Sequence, residues 1–315
     1  MTNKPTRIVL ACDESGAKGH ADKDEEFPGQ VGVFAGVMVP EEHLRRVAPL
    51  FQAIVTKYQP EDGKLHIANL YPEIQESLRH DVYDTICTAV VPCFWYAVHV
   101  AGFHKAYLDL KALVDEARSK HRSRIKFNGR SVKPPSLHVE LFEGFYGNLI
   151  AFCQERGKTD LAIEVRMDNV DSPIVRDFDE VARGLLDFGP KTTRRRGFDP
   201  ATRNVHEVSI RTQIKNPEAL GLIAKVHELK LNPVTKTEKT DGLVLVADVL
   251  ANSLAYLFHN RSDDERYRAL NRPEAIAGHP LARYLDSFRN WGEYSFPDTF
   301  YRHPKDAERQ LKAEG

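Results

Sequence analysis

Residues 243–258 are apolar on nearly every side of a helix, and Asp248 is the one acidic residue among them. A helix that is apolar all round is typical of a protein core, so this segment, with its start at about residue 241, predicts a buried helix. Small residues on the face of Asp248, such as Ala251 and Ala255, let the helix lie close to a sheet. Burying an unpaired carboxylate costs roughly several kcal/mol, unless a cation, a raised pKa or a metal ion offsets the cost. For Asp248 alone, pairing with an arginine or with a backbone group is an equally good interpretation.

The apolar segments elsewhere predict an α/β domain. Residues 7–13 (RIVLACD) and 30–39 (QVGVFAGVMV) suit buried strands, and the polar connection between them is too short for a crossover helix, so we expect them to be antiparallel. Further strands are expected at 90–100, 160–168, 206–214 and 224–231, and helices at 41–58, 72–88, 175–186 and behind Pro134-Pro135. This order predicts a mixed sheet flanked by helices. We assign residues 1–260 to that domain and residues 261–315 to an extension packed on it.

Composition excludes several classes of protein. The chain has 315 residues and a net charge of −1, so the overall charge does not indicate a nucleic-acid partner. Its four cysteines are scattered and predict reduced thiols in a cytoplasmic protein. The first residues are polar, and polar residues such as Asp248 and Asn252 interrupt the longest apolar run, so we expect no export signal and no membrane span.

Two further carboxylates stand at the ends of predicted strands. Asp13 ends the first strand before Ser15-Gly16, and Asp168 ends the strand at 160–168. Each has an ordinary explanation as a turn or helix-cap residue, and Asp171 is the nearest substitute for Asp168. Together with Asp248 they form a set of oxygen ligands that suits Mg²⁺ or Mn²⁺, and two such ions can support the hydrolysis of a phosphodiester.

Three motifs resemble a known family. The segments ACDESG, VRMDN and GLVLVADVLANSLAY are similar to the bacterial and phage family called domain of unknown function 3800, which resembles the ribonuclease H-like superfamily. The resemblance extends to about Phe258, although Val244 to Val246 stand where the family often has a glutamine. The segment GKLHIANL, with Lys64 and His66, is similar to the family's short histidine motif.

The resemblance implies a ribonuclease H-like mixed sheet with helical insertions and a nuclease function. By motif position, the first-strand acid, the fourth-strand acid and the late-helix acid that bind Mg²⁺ or Mn²⁺ would be Asp13, Asp168 and Asp248. We add Glu14 and His66 to the expected catalytic residues, because His66 can position a phosphate or act as an acid or base. The superfamily often uses a fourth carboxylate, and the sequence leaves Glu14, Glu140 and Asp241 open. A homodimer is compatible with the resemblance, since ribonuclease H-like resolvases often act as dimers.

Two basic segments are candidates for binding a phosphate backbone. Residues 117–139 contain no acidic residue, and a second run of positive charge extends over 191–203. A solvated surface loop is the ordinary interpretation of either segment alone. The nucleic-acid-binding residues that we predict are Lys64, Lys126, Arg130, Arg194, Arg195 and Arg196.

The sequence leaves three functions in competition. The leading hypothesis is a two-metal nuclease acting on DNA or RNA. The second is a non-catalytic nucleic-acid-binding or scaffold protein of the same fold, in which Asp248 would serve stability and not chemistry. The third is an enzyme acting on a small phosphorylated molecule. The chain has no zinc-protease, phosphate-loop, dinucleotide-binding or nucleophile-elbow motif, which argues against those enzyme classes.

Overall fold

A mixed sheet of five strands forms the centre of the structure, which is a computed structural model. It describes residues 4–120, 126–127, 133–168, 170–187, 189–212, 223–233, 240–285 and 296–314. The strands are β1 (Thr6–Gly16), β2 (Val31–Pro40), β3 (Cys93–His99), β4 (Lys126–Phe127), β5 (Asp160–Met167), β6 (Lys191–Asp199), β7 (Asn204–Thr212) and β8 (Lys225–Pro233). The central sheet has the order β3-β2-β1-β5-β8, and a second sheet has the order β4-β6-β7.

The direction of the strands divides the central sheet into two halves. β1, β2 and β3 pair antiparallel to one another, whereas β5 pairs parallel with β1, and β8 pairs parallel with β5. The predicted mixed sheet and the predicted antiparallel pairing of β1 with β2 are therefore confirmed. β1 and β2 are nearly continuous apolar runs because helices cover both faces of the sheet at these strands.

The helices are α1 (Glu41–Tyr58), α2 (Pro72–Ala89), α3 (Val100–Lys120), α4 (Leu137–Glu155), α5 (Ser172–Leu185), α6 (Gly242–His259), α7 (Ala282–Leu285), α8 (Phe296–Phe300) and α9 (Pro304–Glu314). Short 3₁₀ helices cover Ile67–Asn69 and Pro273–Ile276. Residues of α1, α2 and α6 join one core on one face of the sheet, and residues of α4 and α5 join a second core on the other face.

Successive residues of a strand point to opposite faces, and β1 follows this rule. Val9 and Ala11 belong to the core that contains α6, whereas Leu10 and Cys12 belong to the core that contains α4. The same alternation assigns Asp13 to the α6 face of the sheet.

Helix α6 is the core helix that the sequence predicts. Asp241 caps its first turn, since the carboxylate accepts the backbone N–H groups of Leu243 at 2.8 Å and Val244 at 3.3 Å. Among the described helices, α6 alone is long and apolar enough to span a membrane by length and composition, but 67% of it is buried within the protein. This burial is that of a core helix in a soluble protein. The cytoplasmic location stays a prediction.

Several element predictions differ from the structure. β1 continues past Asp13 to Gly16, because its antiparallel pairing with β2 extends that far. β3 is shorter than predicted, since Val90 ends α2 in the left-handed region and Val100 already begins α3. The arginine-rich segment, expected as a loop, is strand β6, which pairs antiparallel with β7 over its whole length.

The residues after α6 pack against the central sheet. Leu270, Ile276 and Leu281 lie in the core shared with α6. Trp95 of β3 donates its indole N–H to the carbonyl of Leu270 at 3.1 Å, which ties the C-terminal segment to a central strand.

Candidate functional site

Asp13 and Asp168 lie at the same edge of the central sheet. The parallel pairing of β1 with β5 ends at Cys12 and Met167, and each carboxylate belongs to the next residue of its chain. By alternation both side chains face α6. Asp13 is 8% exposed and its carboxylate accepts the backbone N–H of Glu14 at 2.9 Å. Two acids that are 155 positions apart in sequence therefore lie close together, because both follow the last residue pair of the same parallel ladder.

Asp248 approaches this edge from the helix above it. α6 packs on β1 and β2, and Asp248 lies near the middle of this helix, about two turns after the capping residue Asp241. One oxygen of Asp248 accepts the backbone N–H of Ile67 at 2.9 Å. Asp13, Asp168, Asp241 and Asp248 line one small pocket together with Lys64 and His66.

The segment from Lys64 to Ile67 lies against the acids and supplies positive charge. Lys64 Nζ is 2.8 Å from Oδ1 of Asp168, and His66 Nε2 is 2.8 Å from Oδ2 of the same residue. His66 Nδ1 lies 3.4 Å from Oδ2 of Asp248. The imidazole thus lies between the two carboxylates. Thr240 fixes this segment from the other side by accepting the backbone N–H of Leu65 at 3.0 Å.

The electrostatics of the pocket follow from these contacts. Burial raises the pKa of Asp13 well above its usual value, and the negative charges of Glu14, Asp248 and Asp168 raise it further. Hydrogen bonds to Asp168 and then to Asp248 raise the pKa of His66 to about 10. His66 is therefore a cation at neutral pH.

The structure separates Glu14 from the other acids. Glu14 follows Asp13 on β1 and so faces α4, where its oxygens lie 2.7 Å from Lys18 Nζ and 3.4 Å from His138 Nε2. Burial opposes the ionisation of Glu14, but hydrogen bonds from His138 and Lys18 outweigh it and lower the pKa to about 2. The expected catalytic role of Glu14 beside Asp13 is not supported by this orientation. The sequence gives no signal for His138, because its contact depends on tertiary packing.

The other candidates for a fourth carboxylate occupy different positions. Asp241 lines the acid pocket, caps α6 and accepts a hydrogen bond from Arg166 at 3.1 Å. Glu140 lies on α4, against the opposite face of the sheet, and burial raises its pKa to about 7. Asp171, the alternative to Asp168, is exposed at the N-cap position of α5. Asp241 is therefore the candidate that the structure brings to the pocket.

The predicted nucleic-acid-binding residues fall into two places. Lys64 belongs to the acid pocket, whereas Arg194 and Arg196 are exposed on β6 and lie 3.9 Å and 3.0 Å from Glu207 of β7. The backbone of Lys126 pairs with β6, and that of Arg195 with β7. The side chains of Lys126 and Arg195 and all of Arg130 lie outside the described residues.

The side chains of the pocket suit a hard divalent cation, because three carboxylates offer oxygen ligands. The buried Asp13 also lies near other negative charges, which raise its pKa. In the conformation seen, Lys64 and His66 hold Asp168 and Asp248. The described part of the chain contains no group of three His, Cys, Asp or Glu side chains arranged to hold a metal ion. Binding of an ion by these acids therefore requires His66 to move away from Asp168, from Asp248 or from both.

Comparison with models of known protein families and with curated proteins finds no match for this chain. The family resemblance of its motifs stays a prediction.

Proposed function

We propose that this chain is a divalent-metal-dependent nuclease built on a ribonuclease H-like sheet. The observation that carries the proposal is the approach of Asp13, Asp168 and Asp248 to one pocket from a first strand, a neighbouring parallel strand and a late helix. β5 is the fourth strand of the central sheet in chain order. The three acids therefore occupy the elements that the family resemblance implies.

Asp13, Asp168 and Asp248 would hold Mg²⁺ or Mn²⁺ through their carboxylate oxygens. When bound, such an ion stabilises charge on a phosphodiester and makes a water molecule more acidic. Lys64 and His66 supply two positive charges beside the acids. These charges offset the carboxylates without substrate and can bind phosphate oxygens with it.

A groove lies further along β1 and α6 from the acid pocket. Ser15 lies two residues beyond Asp13 on the same face of β1, and Asn252 lies one helical turn beyond Asp248, so the two elements continue from the acids into this groove. Ser15, Asn252, Phe27, Tyr256 and His259 line the groove. Aromatic side chains at such a place can stack on nucleobases.

A second function is favoured by the pairing of Lys64 and His66 with the acids. Two cations that already neutralise Asp168 and Asp248 are also what a purely structural ion-pair cluster needs. In that case the chain would be a nucleic-acid-binding or scaffold protein, and Asp248 would serve stability.

The proposal is tested by cleavage of labelled single- and double-stranded DNA and RNA with Mg²⁺, Mn²⁺ or a chelator. Asp13→Asn and Asp248→Asn are compared with the native protein and with Asp84→Asn, a matched change at an exposed carboxylate of α2. We expect metal-dependent cleavage that survives in Asp84→Asn and is lost in the other two. Absence of cleavage of every substrate by the native protein would favour the scaffold.

A further inference from the structure

The β6–β7 ribbon is exposed and rich in arginine, and its shape indicates a specific partner. We propose that this ribbon binds the major groove of B-form duplex DNA. Its role in delivering a substrate rests on the proposed function, whereas the binding itself does not. The two strands pair from Lys191 with Thr212 to Asp199 with Asn204, so each contributes nine residues and spans about 30 Å.

The ribbon presents its side chains to solvent. Among the residues from 191 to 212 whose side chains the structure describes, Gly197 and Asp199 are buried, His206 is half-buried and the others are exposed. Phe198 and Val205, a directly opposed pair, are 44% and 67% exposed. Among the described strands, only the two-residue β4 adds to this ribbon, beside Gly197 and Phe198 of β6. The rest of the ribbon is two-stranded, and a two-stranded ribbon is marginally stable when isolated in water, so it needs a partner or a function to account for it.

One face of the ribbon concentrates positive charge. Arg194 and Arg196 are two residues apart on β6 and share a face, and Arg211 joins them because its cross-strand partner is Thr192 on that face. The same face carries one acid, Glu207, which pairs with Arg194 and Arg196. Three arginines against one glutamate leave this face with two excess positive charges.

The dimensions of the ribbon favour DNA over RNA. The major groove of B-form DNA is about 12 Å wide and admits a two-stranded β-ribbon, whereas the major groove of A-form RNA is too deep and narrow for side chains to enter. Arginine also suits this groove, because its planar guanidinium can make paired hydrogen bonds to guanine or to phosphate. The arginine face of the ribbon therefore fits duplex DNA in both shape and charge.

The test measures binding of the full chain by fluorescence anisotropy in the presence of a chelator, so that cleavage does not interfere. The probes are a DNA duplex, an RNA duplex and a DNA single strand of the same sequence. The test variant is Arg194→Ala/Arg196→Ala/Arg211→Ala, whose positions are exposed, so its folding is checked by circular dichroism and melting temperature. The matched control is Lys57→Ala/Lys105→Ala/Arg309→Ala, which removes three exposed cations elsewhere.

We expect the native protein and the control to prefer the DNA duplex, and the ribbon variant to bind it at least about tenfold more weakly. The slope of log affinity against log salt should fall by about 2 to 3 in the ribbon variant, since each lost phosphate contact contributes about 0.9. Unchanged affinity in the ribbon variant, or equal affinity of the native protein for RNA duplex or single strand, would overturn the inference. Ribbon-dependent binding, together with no cleavage of any substrate in the separate assay with Mg²⁺ or Mn²⁺, would contradict the nuclease proposal and leave this inference standing.

Discussion

The Nε2 atom of His66 lies 2.8 Å from Oδ2 of Asp168, although the two residues are 102 positions apart in the chain. This contact places a cation where a metal ion would approach the acids. Because the same ring also lies near Asp248, loss of His66 would remove one cation from beside both carboxylates. The pocket therefore has two ways to balance its negative charge, a protein cation or a bound ion.

His66→Ala should consequently increase the effect of metal on stability. Removal of the imidazole leaves Asp168 and Asp248 with less positive charge nearby, so Mg²⁺ or Mn²⁺ should bind more tightly and raise the melting temperature by a larger amount than in the native protein. The measurement is thermal unfolding against metal concentration, with Lys57→Ala as a control at an ion pair outside the pocket. A smaller metal effect in His66→Ala would show that His66 assists the binding of the ion.

Asp248→Asn and Asp248→Ala should separate stability from chemistry. The amide oxygen of asparagine can still accept the N–H of Ile67, so we expect Asp248→Asn to change the free energy of unfolding by less than about 1 kcal/mol. Alanine leaves that N–H without its partner and should cost about 1–3 kcal/mol. Both variants should lose cleavage. Urea unfolding beside the cleavage assay measures the two effects, and full activity in a folded Asp248→Asn would exclude a metal-binding role.

Asp13→Asn should stabilise the metal-free protein while it abolishes cleavage. The pKa of Asp13 is raised by burial and by neighbouring carboxylates, so the folded state favours the neutral side chain, which asparagine mimics. Near pH 7 the free energy of unfolding should therefore be higher in Asp13→Asn than in the native protein. Chemical unfolding with a chelator present tests this, and Asp84→Asn provides the exposed control. A destabilised Asp13→Asn would mean that the charged form is favoured.

The elements nearest the site could be predicted from sequence because their apolar patterns are strong. β1, β2 and α6 are each buried almost continuously. An acidic residue inside such a segment, as Asp248 is in α6, needs a partner that offsets the cost of burying its charge. Other features have no such local signal. The positions of Asp13 and Asp168 at one edge depend on where the register of β1 with β5 ends, which is a tertiary property.

Two elements were mispredicted because their patterns are weak. α3 was not predicted, since it leaves Leu108, Leu110 and Leu113 largely exposed and so lacks a clear apolar face. The sequence predicts a loop at β6 because this strand shows charge in place of apolar alternation. The family resemblance points to the histidine motif at Lys64 and His66. The spacing of residues in the sequence does not predict that both side chains contact Asp168.

The stability of the protein should depend on pH through Glu140. Burial raises its pKa to about 7 from an ordinary value of 4.5, so the folded state binds more protons than the unfolded state between these values. The contribution of Glu140 to stability is therefore fully present below about pH 4.5 and is lost as the pH rises through 7, by about 3 kcal/mol. Urea unfolding at pH 5 and pH 8 should show a smaller pH effect in Glu140→Gln. An equal pH effect in both proteins would contradict the assignment.

Gly16→Ala should destabilise the strand that carries Asp13. Gly16 ends β1 with φ at +81°, and a Cβ atom there would overlap the carbonyl oxygen of Val31. The combined backbone strain and overlap should lower the free energy of unfolding by about 2–4 kcal/mol and reduce cleavage, since the pairing of β1 with β2 beyond Asp13 would be disturbed. Gly63→Ala is the matched control, because Gly63 also has positive φ but an added Cβ would meet no atom within 4 Å. Urea unfolding of both variants measures the difference, and equal losses would mean that backbone conformation alone, without the overlap, determines the cost at Gly16.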